Sequence, residues 1–174
     1  MHIALKPINE IIQVNNYLFG LGFEGIEEDL ARKQLMPNAN SLTWIMGHVA
    51  SNRFYLLGLT GLEEKCPWGD MFESSISKVD QSQFPSLGEI KTIWLDQTTK
   101  LQNGLANMPE ESLTKAVPFK LPTQEQTVLS AIAFLAMHEA YHIGQMSTQR
   151  RMLGVDSIFD LASARRKPAQ GQAT

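Results

Sequence analysis

From Thr123 to Leu153 the chain keeps apolar residues at helical spacing, and no other stretch holds the pattern for as long. Thr123 with Gln126 offers a capping box at its start, Gly154 a stop, and Arg150 and Arg151 put positive charge in the last turn, where the helix dipole favours it. Within this helix Leu135, His138, His142 and Met146 follow one another at three- and four-residue steps, which places both imidazoles on the stripe facing the core. Residues four apart project from one face with Cβ atoms about 5–6 Å apart, so both rings can converge on one cation. Two neutral rings side by side in an apolar core each need hydrogen-bond partners, whereas a cation satisfies one nitrogen of each at once.

A helix of that length must bury its apolar face against others, and three more stretches supply partners. The first follows Pro7 and carries Ile8, Ile11, Ile12, Leu18 and Phe19 before Gly20, Gly22 and Gly25 interrupt it. The second is capped by Asn40 or Ser41, carries Leu42, Ile45, Val49, Leu56 and Leu57, and stops near Gly58 or Gly61. The third opens with the capping-box pattern Ser86-Leu87-Gly88-Glu89 and keeps Ile90, Trp94, Leu101, Leu105 and Met108 in register until Pro109. No segment demands a sheet, since Pro118 and Pro122 bracket the one run that could pair, so the expected fold is an all-α four-helix bundle. Residues 61–85 read as a long loop around Trp68 and Phe72, and residues 1–160 as a single helical-bundle domain followed by a flexible tail, 161–174.

The chain's 174 residues, 43% of them apolar, suit one full core. A net charge of −3 and the absence of any Lys/Arg stripe speak against a nucleic-acid partner, and no apolar run approaches the roughly 20 residues that span a bilayer. Cys66 is the sole cysteine, so no internal disulfide forms, and Met1-His2-Ile3-Ala4 lacks the pattern of a signal peptide; a soluble, cytoplasmic protein is expected.

A metal site needs a third ligand, and of the four histidines His48 is the remaining one inside a patterned helix. Three imidazoles from two helices leave coordination positions open, as catalytic sites do, and they suit zinc, nickel, copper or iron, with zinc or nickel favoured. Asn52 and Gln145 stand where they could orient a ring or a bound water. His138-Glu139-Ala140-Tyr141-His142 also matches the short zinc-peptidase signature, with Glu139 as general base, but no histidine or glutamate follows His142 to serve as that class's third ligand. Cys66, beside Pro67 in a loop, reads as an ordinary thiol; Trp68, Phe72 and Tyr141 read as packing or as pocket walls.

Trp44-Ile45-Met46-Gly47-His48, His138 to Gln145, Arg150 to Gly154 and the lead-in Met36-Pro37-Asn38-Ala39-Asn40-Ser41 together resemble the DinB/YfiT-like superfamily, over most of the chain up to Gly154. The resemblance implies a four-helix bundle, commonly a homodimer, with a divalent metal held by three histidines, here His48, His138 and His142. It further implies kinship with transferases and isomerases that use low-molecular-weight thiols such as bacillithiol, mycothiol or glutathione. The expected activity is a metal-dependent transferase, linked to detoxification or stress response, that joins such a thiol to an electrophilic small molecule. Glu139 or Gln145 would take the thiol proton or position water, and Arg150 or Arg151 would hold a carboxylate of the thiol. The alternatives are a hydrolase using metal-bound water and a non-enzymatic, stress-linked bundle protein.

Overall fold

The computed structural model describes residues 1–73 and 79–166. Its helices are α1 (Lys6–Leu21), α2 (Glu28–Arg32), α3 (Leu42–Leu59), α4 (Leu87–Ala106), α5 (Val128–Met152) and α6 (Ile158–Arg166), with short 3-10 turns at Ile3–Leu5, Gln81–Gln83 and Glu110–Ser112. Long helices α1, α3, α4 and α5 form the bundle: α3 packs against both α4 and α5, α1 packs against α5, and a lighter contact between α1 and α4 closes the ring. The architecture is all-α, and the single β-bridge among the described residues joins Ala116 to Thr127 in the connection ahead of α5. Among the described residues no helix is long and apolar enough to cross a membrane.

Local chemistry accounts for the helix ends. Ser41 accepts a hydrogen bond from the Trp44 amide to start α3, and Ser86 and Glu89 exchange bonds in the capping box expected for α4. Helix α5, however, starts at Val128 under a Thr127 cap rather than at Thr123. The Gln126 side chain closes the preceding loop instead, accepting from the Leu121 amide and donating to the carbonyls of Leu121 and Thr123. Two further helices add to the four. Helix α2 fills part of the connection after α1, and α6 occupies Ile158–Arg166 with Ile158 and Ala162 buried, so positions 161–166 are helix rather than tail. Ser157 and Asp160 exchange hydrogen bonds at its start, a Ser-x-x-Asp pattern already visible in the chain. Positions 167–174 of the expected tail lie outside the described residues.

The bundle interior divides into two apolar clusters. One surrounds Phe19, Met46, Trp94, Ile143 and Met146; the other surrounds Ile12, Leu56, Leu101, Ile132 and Leu135. Between them all four long helices contribute to a polar layer: Asn15 and Asn16 from α1, Arg53 from α3, Gln97 and Thr98 from α4, and Glu139 from α5. Arg53 and Glu139 are its centre, paired at 2.7 and 2.8 Å with side chains 0% and 2% exposed. The same guanidinium donates to Asn16 and Thr98 and stacks 3.3 Å from the Trp94 ring centroid. Asn15 donates to the Ala136 carbonyl and to Glu139, and Gln97 to the Ala50 carbonyl, so the layer ties each helix to a neighbour. Burying an ion pair this deeply is tolerable because its remaining donors and acceptors find partners.

Candidate metal centre

Helices α3 and α5 meet along the bundle's most extensive contact, and His48 from α3 there faces His138 and His142 from α5. One nitrogen from each of the three rings lies within 4.8 Å of the others. The Nε2 atoms of His138 and His142 are 3.1 Å apart. Two nitrogens bound to one zinc ion at its usual bond length stand roughly 3.3 Å apart in tetrahedral geometry, so this pair already has the right separation and the His48 arm is slightly open.

The partners of each ring decide which nitrogen keeps a lone pair. His48 Nδ1 lies 2.7 Å from the Phe72 carbonyl, which only accepts, so Nδ1 carries the proton and Nε2 keeps the lone pair, which a bound cation would take over from the Asn52 amide. Asn52 donates to that Nε2 at 3.0 Å and to the His48 carbonyl at 2.9 Å, and Trp44 stacks on the ring at 4.8 Å and 11°. His142 Nδ1 lies 2.8 Å from Gln145 Oε1, another pure acceptor, which again leaves Nε2 unprotonated. With His142 Nε2 unprotonated, the 3.1 Å approach of His138 Nε2 is a hydrogen bond donated by His138, whose proton a bound cation would replace; His138 Nδ1 is buried without a hydrogen-bond partner.

Burial pushes all three imidazoles toward the neutral form. His142 is driven down to about 4, first by desolvation and then by its neighbours His138 and His48; His48 and His138 are lowered chiefly by desolvation. Neutral imidazole is the form that binds metal. The chemistry of the donor set and the Nε2 spacing fit a single divalent ion held by His48, His138 and His142.

Glu139 belongs elsewhere. One residue from His138 is about 100° around the helix, which turns its carboxylate toward the bundle axis, where Arg53 takes both oxygens. The expectation that Glu139 takes a thiol proton is therefore corrected, and the peptidase reading loses its base as well. Arg150 is also committed, donating to the carbonyls of Gly22, Glu24 and Asp156 while 1% exposed, and Arg151 pairs with Asp160. Arg150 is therefore not free to bind a carboxylate of a thiol, and Arg151 lies at the surface outside the cleft that the histidines border. Gln145 is at the cluster, between His142 and the Tyr141 hydroxyl.

His48 and His142 open onto a cleft of about 870 Å³ whose walls include Asn40, Trp44, Tyr141, Gln145 and Thr148. A second cleft of about 410 Å³, on the other side of His48, is lined by Ser51, Asn52, Tyr55, Cys66 and Phe72. The Cys66 thiol there donates to Ser51 at 3.5 Å. Trp68 packs edge-on against the buried Phe72 at 5.6 Å rather than lining either cleft.

The family model described as the DinB superfamily matches residues 13–146, a segment that contains all three histidines and the greater part of the bundle. The chain belongs to the DinB superfamily. No curated protein matches it. What distinguishes this DinB chain from a bare signature match is the layer beneath the site: Phe72, whose carbonyl orients His48, and Arg53, which engages Glu139. Sequence reasoning named Phe72 only as packing or a pocket wall and did not single out Arg53. Phe72 acts through its backbone and leaves no side-chain signal, but Arg53 stands four residues after Val49 and three before Leu56 on an otherwise apolar stripe, a charge that called for a buried partner.

Proposed function

We propose that this DinB-superfamily protein is a metal-dependent transferase that joins a low-molecular-weight thiol to an electrophilic small molecule in the cytoplasm, acting as a homodimer. The observation that carries the reading is the convergence of one imidazole nitrogen from each of His48 on α3 and His138 and His142 on α5, beside an open cleft. His48, His138 and His142 would hold zinc or nickel, and the bound cation would supply the charge that converts a thiol to its thiolate at neutral pH. Three protein ligands leave room for that thiol. The protein's own contribution is to keep the imidazoles neutral by burial, to fix the tautomers of His48 and His142 through Phe72 and Gln145, and to provide a cleft within the 300–1,000 Å³ common for small-molecule sites.

The test combines metal analysis of the purified protein with conjugation assays across a thiol panel, using 1-chloro-2,4-dinitrobenzene as electrophile. Conjugate formation that needs both a thiol and the metal, and stops with chelator, is the expected result. Metal-loaded protein that turns over ester or amide substrates without any thiol would overturn the reading in favour of hydrolysis, and protein that binds no metal would remove it. Light scattering reports the dimer directly.

A further inference from the structure

On α5 the side chains of Tyr141, His142 and Gln145 form a directed chain of hydrogen bonds. Gln145 Oε1 lies 2.8 Å from His142 Nδ1, and Gln145 Nε2 lies 2.9 Å from the Tyr141 hydroxyl oxygen. The direction of this chain is set at the imidazole. For His142 Nε2 to keep the lone pair that a ligand nitrogen needs, Nδ1 must carry the proton, and Nδ1–H must find an acceptor. The Gln145 amide meets that need by turning its oxygen toward the ring. Its –NH₂ end then points at Tyr141 and donates, so the phenol oxygen is an acceptor and its own O–H is directed elsewhere. Among the described residues no group accepts that proton. Tyr141 lines the larger cleft with 58% of its surface exposed, its ring 5.0 Å from that of His142.

We propose that the Tyr141 hydroxyl is a catalytic hydrogen-bond donor to an oxygen of the electrophile, that Gln145 is the positioning residue that aims it, and that the electrophile class is therefore α,β-unsaturated carbonyl compounds. This rests on the conjugation reading above. In such an addition the thiolate sulfur forms a bond to the β-carbon while the C=C pair shifts through the α-carbon onto the carbonyl oxygen. Tyr141 hydrogen-bonds to that oxygen as its negative charge develops, keeping its own proton. The proton released by the thiol to solvent is matched by one taken from solvent at the α-carbon, so the sum is thiol plus enone to saturated adduct. A fixed donor aimed at the place where charge appears is the arrangement of an oxyanion hole. Displacement of a halide from a saturated carbon develops no oxygen charge and gains nothing from it.

Two substitutions separate the donor from mere packing. Tyr141→Phe deletes the hydroxyl at an exposed position. Gln145→Glu keeps an oxygen acceptor for His142 Nδ1–H but presents a second acceptor to Tyr141, whose O–H must then turn away from the cleft and onto the carboxylate. The first readout is absorbance titration of metal-loaded protein with 4-nitrophenolate, a stable oxyanion that requires no turnover. Titrated fully metal-loaded, with metal content measured on each, both variants should lose about ten- to hundredfold in phenolate affinity, the range for one hydrogen bond to a charged group. The second readout is kcat/KM with one thiol: the ratio of the value for an enone to that for an alkyl halide should fall in both variants. Unchanged phenolate affinity in Tyr141→Phe overturns the donor, and wild-type affinity in Gln145→Glu overturns the positioning role. If the wild-type protein conjugates no thiol at all, the proposed function fails while the phenolate titration still decides for or against Tyr141.

Discussion

Replacing Arg53 by Met tests the polar layer that divides the core. The substitution removes both charged hydrogen bonds to Glu139, at 2.8 and 2.7 Å, and leaves a carboxylate whose remaining partner is Asn15 at 3.3 Å. With Glu139 2% exposed, water cannot replace the lost donors without opening the α3–α5 contact. Breaking one side of a buried pair costs about 3–5 kcal/mol. For a chain of this size that corresponds to a fall of roughly 6–20 °C in Tm. The companion variant Arg53→Met/Glu139→Leu removes the stranded charge along with its partner, so it should recover most of the loss although it deletes more native hydrogen bonds. Urea denaturation of the wild type, both single variants and the double variant gives the coupling directly. A loss below about 1 kcal/mol in Arg53→Met, or a double variant less stable than either single, would refute the claim that uncompensated burial rather than the bond count sets the cost.

Other outcomes follow from the histidine cluster and its supports. His142→Ala and His48→Ala should each lose most bound metal, measured on purified protein by mass spectrometry, while far-ultraviolet circular dichroism keeps its helical signal; full occupancy in either would remove that ligand. In the metal-free protein the native state holds His142 neutral down to about 4, whereas the unfolded chain protonates it near the ordinary value of about 6.5. Between those values the unfolded state binds more protons, so stability should fall as pH drops through this window and level off below it, and His142→Gln should flatten that slope in urea titrations; an identical slope would contradict the assignment. Gly47→Ala would drive a Cβ into the buried Phe72 ring, so a loss of about 1–3 kcal/mol is expected. Because the Phe72 carbonyl orients His48, metal affinity should fall with it, and calorimetry showing undiminished affinity would separate the two effects.

Much of this was written locally. Four apolar stripes at helical spacing specified the bundle helices, the Ser86 and Glu89 pair marked the start of α4, and the i,i+4 spacing of His138 and His142 put two imidazoles together because a helix does so wherever it is placed. Boundaries were harder to read where two patterns competed: Thr123 and Gln126 mimic a cap, yet the bridge from Ala116 to Thr127 holds the chain extended until Val128. What lay beyond local reading was the fate of groups whose partners come from another helix. Glu139 looks like a catalytic base one residue from a ligand, and it is the arrival of Arg53, 86 positions earlier, that makes it part of the interior. The imidazole of His48 was recognisable as a candidate, but its tautomer is set by the carbonyl of Phe72, delivered by a loop. Helical periodicity is a property of short-range backbone geometry and so is carried by the sequence itself. The protonation and direction of a buried polar group depend on which long-range partner replaces water around it, and only the folded chain decides that.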